Sequence, residues 1–206
     1  MLSKLSRPSS SQDASRRVFD IDREMDSRWV TVDSFEHVRN PALRHVISYW
    51  FDMCGSRPMP ARRDINPIKI PSVLAQIWLC DYLPESGRFR YRLAGEEIND
   101  FWGFNLSGKY LDEIVPAERL ASVTKKYRMA LELPAIVYDR ACLSLTEEIS
   151  RNGERIILPL SDDGRTVNAL LGATYRDWFR DLEFDPLAKY SETTTVAAFE
   201  SGVPIH

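Results

Sequence analysis

Apolar and polar positions alternate most cleanly at residues 89–103, where a strand pattern runs straight into a helical one. Phe89, Tyr91 and Leu93 alternate with Arg88, Arg90 and Arg92, the period of a half-buried strand. Gly95 breaks that strand, and Ile98, Phe101 and Trp102 then fall at helical spacing, closed by Gly103. A strand that hands over to a short aromatic-faced helix makes a concave wall. Such a wall either holds a ligand or is core.

The rest of the chain reads outward from this stretch. Residues 1–15 are rich in Ser and polar groups, a composition expected to be disordered. From Arg16 to Phe35 acidic and apolar residues interleave without a period that assigns a structure. Asn40-Pro41 is a helix start, Asn as N-cap and Pro at the first helical position, and Leu43, Val46, Ile47, Trp50 and Phe51 continue at helical spacing to about Cys54. Asn66-Pro67 and Pro71 punctuate short helical turns. Ile77–Tyr82 reads as a first strand, and Pro84–Gly87 as the turn into the 89–93 strand. Tyr110–Ile114 is a brief turn. Pro116 opens a longer helix to about Leu131 with Leu120, Val123, Tyr127 and Leu131 on one face, and Pro134 ends it.

The last third predicts a run of hairpins. Ile136–Ile149 is a long strand, Asn152-Gly153 a type I′ turn, and Glu154–Leu160 the return, with Pro159 implying an edge or bulge. Asp162-Asp163-Gly164 makes the next turn. Thr166–Arg176 is the final strand, apolar enough in its middle to be central in the sheet. The order β-β-α-α-α-β-β-β predicts an α+β fold, an antiparallel sheet of five strands with helices gathered on one face and an N-terminal helical extension.

The 89–103 stretch is similar to a family of stand-alone bacterial PAS-type domains, together with Tyr49-Trp50, Arg63-Asp64-Ile65-Asn66-Pro67, Ile70-Pro71, Asp81, Gly108 and Leu158-Pro159-Leu160. The resemblance covers about residues 41–176, and it implies the strand order 2-1-5-4-3. On this reading residues 1–36 are an extension, disordered or partly packed, residues 37–176 are the domain, and 177–206 are a tail.

Composition narrows the function classes. Hydrophobic content of 44% and charged content of 28% are ordinary for a globular protein, and the net charge of -3 argues against nucleic-acid binding. No apolar run has the length of a membrane span, and Lys4 and Arg7 are not followed by the apolar core of a secretory signal, so a cytoplasmic location is expected. Cys54, Cys80 and Cys142 are odd in number and far apart, as expected of reduced, buried thiols.

Candidate chemistry is sparse. The histidines are His37, His45 and His206; His45 alone lies in the family-like region, and its neighbours Leu43 and Ile47 suggest a packed or capping role. Haem-binding members of the resembled family carry His on the long helix, and none stands between Ala117 and Leu131. Photoreactive flavin members carry Cys where this chain reads Ile98-Asn-Asp-Phe-Trp102. Both absences argue against those cofactors, leaving the cofactor unknown. No cluster has metal-ligand spacing, and Asp162-Asp163 reads as exposed turn residues. Glu147 and Glu148 are adjacent on a strand, so they point to opposite faces and cannot act as an acid/base couple. The inward faces offer no charged group that could serve an enzyme.

Two residue sets remain. Tyr91, Trp102, Phe89, Phe101 and Tyr127 are either core or the lining of a pocket between sheet and helices, with Tyr91 and Trp102 the first candidates to touch a ligand. Arg88, Arg90 and Arg92 are either a solvated face paired with acids such as Asp81, or a docking surface for an anionic partner or for the acidic segment from Phe19 to Glu24. The resemblance implies a sensory module working by binding rather than catalysis, with a small-molecule ligand, or alternatively a protein-interaction adaptor with a filled core. No kinase, cyclase or helix-turn-helix is legible beside the domain. A signal is therefore expected to pass to a separate protein, through a homodimer built from the 16–54 region.

Overall fold

The computed structural model describes residues 16–20, 28–30, 38–133, 135–146, 149–179 and 191–198. Its strands are β1 (Arg16–Asp20), β2 (Arg28–Val30), β3 (Ile77–Leu83), β4 (Arg88–Ala94), β5 (Ala135–Thr146), β6 (Ile149–Leu160), β7 (Ala169–Phe179) and β8 (Ser191–Ala198). Its helices are α1 (Pro41–Cys54), α2 (Glu96–Trp102), α3 (Leu111–Ile114) and α4 (Ala117–Glu132), with short 3-10 turns between 62 and 76. Residues 1–15, His37, Pro134, Glu147-Glu148 and His206 lie outside the described residues, as does the Cys142 side chain.

The strands form one antiparallel sheet in the order β2-β1-β8-β5-β6-β7-β3-β4. Its last five members, β5-β6-β7-β3-β4, are the expected order 2-1-5-4-3 read from the far edge, so the α+β fold is as the sequence predicts. The sheet is wider than five strands because β8, from the C-terminal tail, pairs with β5, and β1 and β2 of the N-terminal extension pair beyond it.

Local chemistry accounts for several boundaries. Asn40 Oδ1 accepts from the Ala42 and Leu43 amides at 2.8 and 3.3 Å, which satisfies two otherwise orphaned donors at the start of α1. Gly103 closes α2 in the left-handed region at φ 76°. Gly95 is required by space, since a Cβ there would stand 2.1 Å from the Leu74 carbonyl oxygen.

Three expectations are corrected. Asn152 and Gly153 are not a turn but lie within β6, and the β5–β6 pairing ends at Thr146 and Ile149. Asn-Gly favours a hairpin, but here β6 is bonded on both sides, Asn152 facing Cys142 of β5 and Asp177 of β7, and this pairing overrides the local preference. Leu93 does not follow Phe89 and Tyr91 inward. The register between β3 and β4 shifts at Leu79/Cys80, so that Leu79 opposes Leu93 and Cys80 opposes Tyr91; Arg92 is the extra residue of a bulge, and Leu93 is left 47% exposed. His45 is exposed rather than packed, because Val46, Ile47 and Trp50 take the buried stripe of α1.

Pro159 lies in a strand with neighbours on both sides, yet the β5–β6 ladder begins only at Val137 and Ile157, so at Pro159 the strand is locally an edge. There the Trp50 indole donates to the Pro159 carbonyl at 2.9 Å.

Along β6 both faces of the sheet are buried. Ile156, Leu158 and Leu160 point one way along β6 and Arg155 and Ile157 the other, and all four of the apolar ones are fully buried. The first face meets α1: Glu154, which shares that face, accepts from the Asn40 amide at 3.1 Å and from the Tyr138 hydroxyl at 2.7 Å. The second face meets α4, where the Trp78 ring stacks on Tyr127. We call these the α1 face and the cavity face.

Candidate functional site

The cavity face carries the aromatic set. Trp78 of β3 and Tyr127 of α4 stack at 5.2 Å with an angle of 7° between their rings. Phe89 meets the Tyr127 ring edge-on at 5.2 Å. Trp78 lies across Gly172 of β7, where a Cβ would fall 2.0 Å from its ring, so only glycine lets the indole lie there. The Trp78 indole donates to Thr174 Oγ1 at 3.0 Å. The hydroxyls of Tyr91 and Tyr127, both buried, meet at 2.7 Å. Burial raises the pKa of both phenols, so they stay protonated and one donates to the other.

Between this wall and helices α2, α3 and α4 lies a cavity of about 470 Å³. Of the five aromatic candidates, Tyr91, Trp102, Phe101 and Tyr127 line it, while Phe89 is buried behind Tyr127 and does not. Trp78, Ile98, Leu111, Val115, Pro116 and Val123 complete the apolar lining.

The remaining wall is charged, which sequence reasoning missed. Asp139 of β5 is 3% exposed; its Oδ1 accepts from Lys126 Nζ at 3.0 Å and from the Thr194 hydroxyl at 3.3 Å, and its Oδ2 accepts from Arg155 Nη2 at 2.7 Å. Arg155 borders the cavity, as do Arg119 and Arg176, and the Arg176 guanidinium sits 3.6 Å from the centre of the Phe101 ring. Burial lowers the Lys126 pKa to about 8 against the pull of Asp139.

A signal for this cluster was present in the wrong register. Asp139 and Arg155 are directly paired across β5 and β6. A hairpin turning at Asn152-Gly153 would instead set Asp139 opposite Thr166, which hides the ion pair. Thr194 came from a tail with no assigned structure.

A PAS domain family model matches residues 38–175. The chain belongs to the PAS domain family. No curated protein and no solved structure matches it. The match spans α1 to most of β7 and so covers both faces of the five-strand core and the cavity lining except Arg176. A PAS domain is a sensory and signalling module, and the cavity lies between its sheet and its helices.

The arginine row of the PAS domain is occupied within the chain. Arg90 and Arg92 lie 3.6 and 3.0 Å from Asp81, which also holds Arg62 at 2.9 Å. Arg88 turns to Asp112 and Glu113 of α3 at 2.8 and 3.1 Å and stacks on the Tyr110 ring at 3.6 Å. Asp22 and Glu24 of the acidic segment lie outside the described residues. Asp64 accepts from the Ala61 amide at 2.8 Å and pairs with Arg57 at 2.7 Å, a loop-closing role. Asp163 likewise accepts from the Arg165 and Thr166 amides at 2.8 and 2.7 Å, which holds its pKa below the usual carboxylate range. Cys54 and Cys80 are buried. No group of metal-ligating side chains converges, and no helix is long and apolar enough to cross a membrane, among the described residues.

Proposed function

We propose that the protein is a PAS-type sensor that takes a small, largely apolar molecule into the cavity between its sheet and α2–α4, and passes the signal to a separate effector protein. The observation that carries this is the cavity of about 470 Å³, within the range of small-molecule sites, walled by Trp78, Phe101, Trp102 and the paired tyrosines. An adaptor with a filled core is the competing reading, and an empty volume of that size at the aromatic corner supports the sensor over it. The module works by binding rather than catalysis: Asp139, a carboxylate deep in the cavity face, is engaged by Lys126, Arg155 and Thr194, which leaves it poorly placed to act on a substrate.

A bound molecule would shift the packing of α2 and α3 against the sheet, and with it the surface an effector reads. Native mass spectrometry of freshly purified protein, beside its denatured mass, tests the reading. Extra mass that disappears on denaturation, and that is lost in a folded Val123→Phe variant narrowing the cavity, is the expected result. Bare protein, with thermal stability unmoved by a library of small apolar compounds, would favour the adaptor.

A further inference from the structure

Gly153 of β6 and Gly172 of β7 both stand on the cavity face, and the fold accounts for only one of them. Glycine in the middle of a strand weakens it, because it packs no side chain and gives up the most chain entropy. At Gly172 the reason lies inside the protein: a Cβ there would fall 2.0 Å from the Trp78 ring. At Gly153 no such reason exists among the described residues. The residue is bonded into the sheet on both sides, opposite Ala141 of β5 and Arg176 of β7. Its φ is not in the left-handed region that favours glycine. A Cβ there would meet the Tyr175 carbonyl oxygen at 3.6 Å and Arg176 Cγ at 3.8 Å, which is ordinary van der Waals contact. Alanine would therefore fit the fold. Gly153 nevertheless lines the cavity, and its bare backbone forms part of the floor.

The missing side chain leaves a slot rather than a chamber. Arg155 rises from the same face two residues along β6, about 7 Å away. Arg176 rises from the facing position on β7, about 5 Å away, and its guanidinium reaches the Phe101 ring at 3.6 Å. Both arginines line the cavity, and Phe101 and Trp102 of α2 stand across it from the sheet. The slot thus has peptide at its base, long side chains at its flanks and aromatic rings over it. A flat ring is about 3.5 Å thick, the distance at which carbon atoms touch, and fits such a slot edge-on. A globular skeleton of equal carbon count does not. Ring surface also packs well against the rings of this lining.

On the reading that the cavity binds a small molecule, we propose that its ligand is a flat aromatic compound whose ring edge enters the slot at Gly153, and that Gly153 is the residue that selects for flatness. The glycine keeps open the place that the ligand fills, and the strand carries the loss of stability that goes with it.

The test titrates the full chain at pH 7 with 2-naphthol and 1-adamantanol, followed by NMR. Both probes are uncharged and have the same carbon count and one hydroxyl; the first is flat and the second globular. The Gly153 amide and Trp102 indole resonances report the place. The flat probe should bind about tenfold more tightly, the scale on which a pocket discriminates by shape. Gly153→Ala should raise Tm by about 1–4 °C, while Gly172→Ala lowers it. Affinity for 2-naphthol should fall in Gly153→Ala and by a further factor of about ten in Gly153→Val. If Gly153→Val does not fold, Gly153→Ala carries the affinity reading. A lower Tm in Gly153→Ala would make this a glycine the fold demands and overturn the inference. Equal binding of the two probes, or unchanged 2-naphthol affinity in Gly153→Ala, would also overturn it and leave the sensor reading standing. No binding of either probe at millimolar concentration overturns both.

Discussion

The α1 face and the cavity face belong to the same strands and alternate residue by residue, yet they are built on different rules. On the α1 face, Ile156, Leu158 and Leu160 of β6 and Leu171 and Ala173 of β7 meet Leu43, Val46, Ile47 and Trp50, and aliphatic side chains fill the space. On the cavity face the same strands present Gly153, Arg155, Gly172 and Thr174 opposite a cage of rings, and space is left over. The first arrangement maximises apolar burial. The second spends part of that burial on a volume and on buried charge, each of which lowers stability unless something else is gained. The difference teaches which face is scaffold and which is site, without reference to any ligand.

The largest effect should come from the scaffold. Trp50 is fully buried and closes the sheet where β6 runs past β5. Trp50→Ala is expected to cost about 3–5 kcal/mol, since it empties a core site and strands the Pro159 carbonyl. For a chain of this size that is a fall in Tm of roughly 6–20 °C. Where the variant remains folded, its affinity for cavity ligands should be unchanged. A loss of affinity matching the loss of stability would mean that the two faces are not separate in function.

Asp139→Asn probes the cavity face in the same way. It removes the charge that Lys126 and Arg155 share. Breaking a buried ion cluster from one side costs about 3 kcal/mol. Thermal unfolding measures it, and a Tm equal to that of the parent protein would mean that the cluster does not hold this wall of the cavity together.

How much of each face was legible differs for a physical reason. The α1 face depends on local rules: the Asn40-Pro41 cap, the helical spacing of Leu43 to Trp50 and the apolar run in β7 all read directly. The aromatic part of the cavity face also read well, because Tyr91, Phe101 and Trp102 lie in one continuous stretch. What failed was register. Asn152-Gly153 carries strong turn chemistry, but a ladder bonded on both sides outweighs it. Once the turn is misplaced, Asp139 and Arg155 cannot be seen as partners. Leu93 failed for a related reason: one bulge at Arg92 resets the alternation, and nothing in the residue types marks a bulge. The glycine that admits Trp78 sits in an apolar strand, where only the tertiary approach explains it.

The smallest effect is a dependence on pH that arises at the cavity face. Burial sets the Lys126 pKa at about 8 in the folded chain, against an ordinary value of 10.5. Between those values the unfolded chain holds a proton that the folded chain has released, so unfolding takes up a proton and stability rises with pH. From about pH 9 the buried Cys80 thiol, and above about pH 10 buried Tyr91 and Tyr127, keep protons that the unfolded chain loses, which first offsets and then reverses the rise. The net rise is thus confined to the window from about pH 8 to 9. It should amount to something on the order of 1 kcal/mol, since it is offset by weakening of the bond to Asp139 as Lys126 discharges. Denaturant unfolding at pH 7.5, 8.5 and 9.5 measures it. In Lys126→Met the rise should vanish, while Asp139 keeps Arg155 and Thr194 and the fold holds. A rise that persists in Lys126→Met would place its origin elsewhere.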